Sequence, residues 1–275
     1  MSNALDRIDN AVQVRPGASS QAAAVEHTRA AAEVAAAVQA ARMVPRDVEL
    51  AKARMRVACS DYGLAARAFY AYPKGGEEVT GPTVHLAREM AAIYGNVDYG
   101  TSELARREGE SEIRAWAWDQ ETNTRKSRTI IVPHIQYIGR GKRALGDMRD
   151  IDQNNNSVAG RAEREMLFAI LPTAFVAEAQ ELCRQTLETG TGGSLEQRAA
   201  ASVEAFGKGG VTQEQLEARI GKPIDRWSAQ NVADLDILFG SLKRREITKE
   251  EAFPAPVGIT ADDITSAVNG SPAPA

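Results

Sequence analysis

The stretch from Ser111 to Trp118 limits the possible folds most, because its side chains alternate: Ile113, Ala115 and Ala117 fall on one parity, Arg114, Trp116 and Trp118 on the other. On a strand, successive side chains leave by opposite faces. One face therefore carries small apolar residues suited to a core, and the other a cation and two indoles. The next limb, Arg128 to Ile138, holds Thr129, Ile130, Ile131, Val132 and Ile135, β-branched residues that favour a pleated, half-buried surface. Between the limbs, Asp119-Gln-Glu-Thr-Asn-Thr-Arg supplies turn-forming residues. A strand entering from Asn96 completes an antiparallel meander, and a sheet with one apolar face requires a layer of helices over it.

The flanking sequence supplies those helices. Residues 1–20 are polar and without periodicity, so disorder is expected there. An alanine-rich helix is expected from Ser20 to Met43, stopped by Pro45, with an apolar face thin enough to need a neighbour or another subunit. A second helix is expected from Arg46 to Tyr62 with Gly63 as its stop, then a short strand over 66–71 closed by the turn Pro73-Lys-Gly-Gly. Pro82 opens a helix over Val84 to Tyr94, with Gly95 behind it. After the meander a helix runs from Ile151 to Leu171, where Pro172 breaks it and starts another that ends near Leu187.

The expected fold is therefore α+β: a three-stranded antiparallel meander packed with helices (a β-β-β-α core) over residues 46–188, preceded by the tail and helix of 1–45. The Gly-rich segment 189–194 is expected to be a linker. Residues 195–253 form a small C-terminal helical module, where Phe206, Leu216, Trp227, Leu235 and Leu238 suffice for a miniature core and Thr212 with Gln215 makes a capping box. Residues 254–275 are a Pro- and Ala-rich tail.

The cations cluster in and after the meander: Arg125, Lys126, Arg128, Arg140, Lys142, Arg143 and Arg149, opposed by Asp147, with Arg161 and Arg164 on the following helix. The formal net charge is −4, so a polyanion must be met by this local patch against a weakly repulsive overall field. Placed beside Trp116, Trp118, His134 and Tyr137, the cations form the mixture of positive groove and ring platform that suits single-stranded nucleic acid. The ordinary alternative is a solvated basic loop whose arginines pair with nearby carboxylates and whose tryptophans are core. Lys74, in its turn, is either a further contact or a solvent-facing lysine. Gly139-Arg-Gly-Lys lacks the spacing of a phosphate-binding P-loop.

Other chemistries are poorly served. Asp98 with Glu112-Ile-Arg114 offers the carboxylates of a metal nuclease, but an arginine stands where a lysine is needed and cannot release a proton. His27, His85 and His134 show no zinc spacing. Cys59 and Cys183 sit in apolar helical contexts, as reduced core thiols would. No metal, cofactor or catalytic step is expected. There is no long apolar run and no basic-then-apolar start, so the expected place of action is the cytoplasm. A helical adaptor that binds only other proteins remains a further alternative.

The segments GPTVHLAREMAAIYGNVDYG, ESEIRAWAWDQETNT, IIVPHIQY and RDIDQNNNSVAGRAEREMLFAILP resemble phage single-strand annealing proteins of the RecT/Redβ-like kind, over roughly Ala65 to Leu187. The run Asn154-Asn155-Asn156-Ser157 stands where a basic or alanine-rich helix start is expected. The resemblance implies a homo-oligomeric ring or helical filament that holds single-stranded DNA and pairs it with its complement without ATP. By position, the groove would be lined by Arg114, by Arg125 to Arg128, by Arg140 to Arg143, and by Arg161 and Arg164. It also implies that the C-terminal module docks partners such as a host single-strand-binding protein or a phage exonuclease.

Overall fold

The structure is a computed structural model that describes residues 21–74, 77–138 and 141–254. The expectations for 1–20, for Gly139 and Arg140, and for 255–275 lie outside the described residues.

Helix α1 (Gln21–Met43) stands apart from the body over most of its length, with Ala41 the residue that reaches the core. Helix α2 (Val48–Cys59) starts on Asp47, whose carboxylate accepts from the Leu50 amide. A single helix ending at Gly63 was expected next, then a strand from 66. Instead Asp61 caps a new helix, α3 (Tyr62–Ala68), by accepting from Leu64 N, and Gly63 lies in its first turn. The Leu-Ala-Ala-Arg-Ala run favours helix, and Leu64, Ala65 and Ala68 gain burial by adopting it.

Strand β1 (Phe69–Lys74) pairs with β2 (Glu77–Pro82), a strand that its two glutamates and terminal Gly-Pro conceal in the sequence. Phe69 and Ala71 point into the core, while Tyr70 and Tyr72 share the other face and stack at 5.8 Å. Gly81 lies opposite Tyr70 and lets its ring approach, because a Cβ there would lie 2.5 Å from the tyrosine hydroxyl and push the ring aside. Thr83 then caps α4 (Val84–Tyr94), and Gly95 ends it at φ 79°.

The sheet is the expected meander, in the order β3 (Val97–Arg107), β4 (Glu110–Asp119), β5 (Thr124–Pro133), antiparallel throughout. The limb expected to run to Ile138 breaks at Pro133, which has no amide hydrogen to continue the ladder. The chain resumes as a separate hairpin, β6 (Ile135–Ile138) with β7 (Gly141–Ala144).

Helix α5 (Met148–Ile170) crosses the sheet, and Ala159 and Leu167 pack against Ile113, Val132 and Ala117. The asparagine run proves to be a fastener. Asn154 donates to Pro133 O at the break, and buried Asn155 donates to Ser111 Oγ, which also bonds His134 Nε2 at 2.9 Å. Helix α6 (Thr173–Thr189) follows and joins α2, α3 and α4 around Met55, Cys59, Phe69, Leu86, Met90 and Leu187.

The C-terminal helices are α7 (Leu195–Lys208), α8 (Gln213–Ile220), a 3₁₀ turn over Ile224–Arg226, α9 (Ala229–Lys243) and the short α10 (Lys249–Ala252). The capping box at Thr212 and Gln215 forms as expected. Their core gathers Phe206, Leu216, Trp227, Leu235 and Leu238, yet α9 serves both cores, placing Ala233 and Ile237 among the residues around Phe69. No single helix among the described residues is long and apolar enough to cross a membrane.

Candidate nucleic-acid interface

Cross-strand partners share a face of the sheet, so the register sorts every candidate residue. Opposite Trp116 lie Gly100 and Ser127, opposite Arg114 lie Ser102 and Thr129, and opposite Trp118 lie Asp98 and Arg125. Among the described residues no helix covers this face. Trp116 is half-buried because its ring lies over Gly100, where a Cβ would come within 3.0 Å, and its Nε1 donates to Asp98 Oδ2 at 2.9 Å. Trp118 is only 7% exposed. Its Nε1 donates to Asn123 Oδ1 at 3.1 Å, and the Arg125 guanidinium lies 5.9 Å from its ring. Trp118 is therefore a packed residue that anchors the β4–β5 turn, and Trp116 is the indole with open surface.

The same register divides the cations expected to act together. Arg125 faces the open side with Arg114, whereas Lys126 and Arg128 pair with Ala117 and Ala115 and so point to the side that α5 covers. Arg128 Nη1 accordingly donates to Glu165 of α5 at 2.9 Å. In the arm, Arg143 reaches Gln136 at 2.8 Å and Asp150 at 3.4 Å, while Lys142 and Arg149 are exposed. The side chains of Lys74, Tyr137 and Arg140 lie outside the described residues. His134 is 6% exposed and bonded to Ser111, which rules it out as a ring platform. Arg114, Lys126 and Arg149 make no ion pair among the described residues.

Arg161 and Arg164 do not join the sheet surface. Helix α5 buries Ile151, Asn155, Ala159 and Ala162 toward the sheet, which directs these arginines to its far flank. There they line a cleft of about 600 Å³ with Tyr70, Tyr72, His85, Arg244 and Arg245. Arg164 lies 5.0 Å from the Tyr70 ring, and Arg161 folds back on Ser157 of its own helix. Burial, then the nearby Arg67, Arg244 and Arg88, hold the His85 imidazole below its ordinary value and so favour the neutral ring. Sequence reading missed Arg244 and Arg245 because Lys243-Arg-Arg at a helix end is adequately explained as charge opposing the helix dipole.

The metal-nuclease carboxylates do not converge. Asp98 sits opposite Trp118, while Glu112 lies six residues along β4, a separation of roughly 20 Å at strand rise. Glu112 is instead held by Arg107. Among the described residues no group of three or more His, Cys, Asp or Glu is placed to hold a metal ion. Cys59 and Cys183 are both buried and free, and both sit in the core around Phe69. Compared with family models, with curated proteins and with solved structures, the chain matches none.

Proposed function

We propose that the chain binds single-stranded DNA on the open face of its sheet and anneals complementary strands without ATP, as the resemblance to phage single-strand annealing proteins implies. The observation that carries this reading is a sheet face that no helix covers among the described residues, on which a partly open indole, Trp116, sits beside Arg114, a guanidinium with no ion-pair partner among them. An unpaired base offers a π-face to the indole, and its phosphate offers charge to the guanidinium. Annealing requires no bond to be made or broken by the protein. It requires the repulsion between two polyanions to be lowered while a short duplex grows. Copies assembled side by side would extend the track, and the exposed length of α1 supports such assembly. The setting is phage recombination in the bacterial cytoplasm, with a host single-strand-binding protein or a phage exonuclease as partners for the C-terminal helices.

The test uses the full chain, a fluorescent oligothymidylate and a complementary oligonucleotide pair. Binding should weaken with salt at a log–log slope of roughly −0.7 per phosphate contacted. Trp116→Ala should weaken it by about 1 to 3 kcal/mol. Strand pairing should proceed in chelator, and electron micrographs of the paired product should show rings or filaments. A protein that binds no oligothymidylate, or that degrades the strands and is stopped by chelator, is not an annealing protein.

A further inference from the structure

The cleft between α5 and the end of α9 lies on the opposite side of α5 from the sheet, so it is a separate surface from the open face. Its lining sets four guanidinium groups, Arg161, Arg164, Arg244 and Arg245, against one carboxylate, Glu246. Arg244 is committed to the fold, donating to Phe69 O at 2.9 Å and to both Glu246 oxygens. Among the described residues Arg161 bonds only within its own helix and Arg245 makes no ion pair. The stacked rings of Tyr70 and Tyr72 form one wall.

Arg245 carries a further sign. After the cap residue Arg244, the backbone turns left-handed at Arg245, φ 58°, and Glu246 N closes back to Ser241 O at 3.0 Å. Glycine is the residue that ends helices this way without steric penalty, and a side chain with a Cβ, as in arginine, is strained there. Strained conformations of this kind persist at functional positions. Toward the sheet edge, Arg128 is balanced by Glu165, one helical turn from Arg161, so Lys126 of β5 is the cation there with no ion pair among the described residues.

We propose that this cleft is a second strand-binding site, which takes the phosphodiester backbone of single-stranded nucleic acid and makes the C-terminal helices part of the binding surface. This rests on the strand-binding reading above and extends it to a different face. The strand leaves the open face over the β5 edge, passes Lys126, and enters the cleft. There Arg161 and Arg245 neutralise phosphate, and Tyr70 and Tyr72 present ring surface to a base or sugar.

The experiment compares the full-length chain with Arg161→Ala, Arg245→Gly and their combination, by oligothymidylate anisotropy across a salt series and by thermal melting. The double variant should bind at least about ten-fold more weakly, as expected for loss of charged hydrogen bonds. Its salt slope should be shallower by roughly 1.4, or 0.7 for each phosphate contact. Arg245→Gly alone should melt roughly 2 °C higher while binding more weakly, because it relieves the backbone and removes the cation. A purely structural Arg245 would not separate those two readouts. Unchanged affinity and slope in the double variant, with Trp116→Ala still impaired, would overturn the cleft assignment and leave the sheet-face reading standing. No oligothymidylate binding by the unaltered chain would overturn both. Thymidine monophosphate competing as tightly as the oligonucleotide would reassign the cleft to a free nucleotide and overturn the strand path.

Discussion

At Asp119 two opposing effects act on one carboxyl. Burial pushes its pKa up, and the Arg46 fork, with bonds at 2.6 and 2.8 Å, together with Thr122 outweighs burial and holds it below the ordinary value. Both partners of the pair are nearly sealed from water. A depressed folded pKa stabilises the protein fully above the unfolded value, near 4, and that contribution is lost as pH falls through the lower folded value. Asp119→Asn should therefore cost about 3 kcal/mol in urea unfolding at neutral pH, since it strands a buried guanidinium. Glu121, which also bonds Arg46, keeps the loss from being larger. The deficit should shrink as pH drops below about 4, and a deficit independent of pH would remove this pair from the acid limb. None of this is legible in the sequence, because Arg46 and Asp119 are 73 residues apart. The alternation of Ile113, Ala115 and Ala117 is legible, since strand pleat is a local property. The fate of Trp118 is not, since it depends on Asn123 turning back at φ 56° to accept from the indole.

Elements were readable where their ends carry their own chemistry. The helices begun by Thr83, Ser194, Thr212 and Ser228 start on side chains that accept from the third amide beyond, and their extents match the hydrophobic spacing. Reading failed where one residue had two possible uses. Gly63 can stop a helix or lie inside a first turn, and Asp61 decides the matter by capping forward. Strand β2 failed for a tertiary reason, because Glu77 and Glu78 tolerate a strand that β1 pairs on one side only. Helix α1 packs little along its length. Twenty-three residues long, it leaves Val25 58%, Val34 49% and Met43 77% exposed. An alanine-rich helix about 34 Å long with so little packing gains little stability from its own propensity. Deleting residues 21–43 should leave the core's melting temperature within about 2 °C of the full chain, since that helix packs little against the body. It should also shift sedimentation toward smaller species. Equal sedimentation of the two chains would show that α1 contributes nothing to assembly.

For the whole molecule the governing fact is that α9 is shared. The glycine-rich segment 189–194 looks like a tether between units, and a composition-based reading treats the helices beyond it as an appendage. The structure fastens them instead. Arg198 donates to Leu187 O and Glu188 O across the segment, Tyr62 Oη donates to Asp236, and Ser241 Oγ accepts from the Ala71 amide at 3.0 Å. Arg219 of α8 reaches Glu78 of β2. Apolar burial adds to these bonds, since Ala233 and Ile237 complete the core around Phe69 while Tyr72 packs against the core of the C-terminal helices. Two units that complete each other's cores cannot unfold separately without leaving buried polar atoms unpaired and apolar surface in water. Calorimetry of the full chain should therefore show one transition, with calorimetric and van't Hoff enthalpies in agreement. A chain ending at residue 194 should lose cooperativity, exposing the surface that α9 covers and leaving the Ala71 amide without its partner. Two resolved transitions in the full chain, or a truncated chain that melts as sharply as the whole, would show the segment to be a true linker. The cleft would then be a gap between independent bodies. A single transition means that its two walls, Arg161 on α5 and Arg245 beyond α9, are held at a fixed distance, the condition for phosphate recognition by preplaced guanidinium groups.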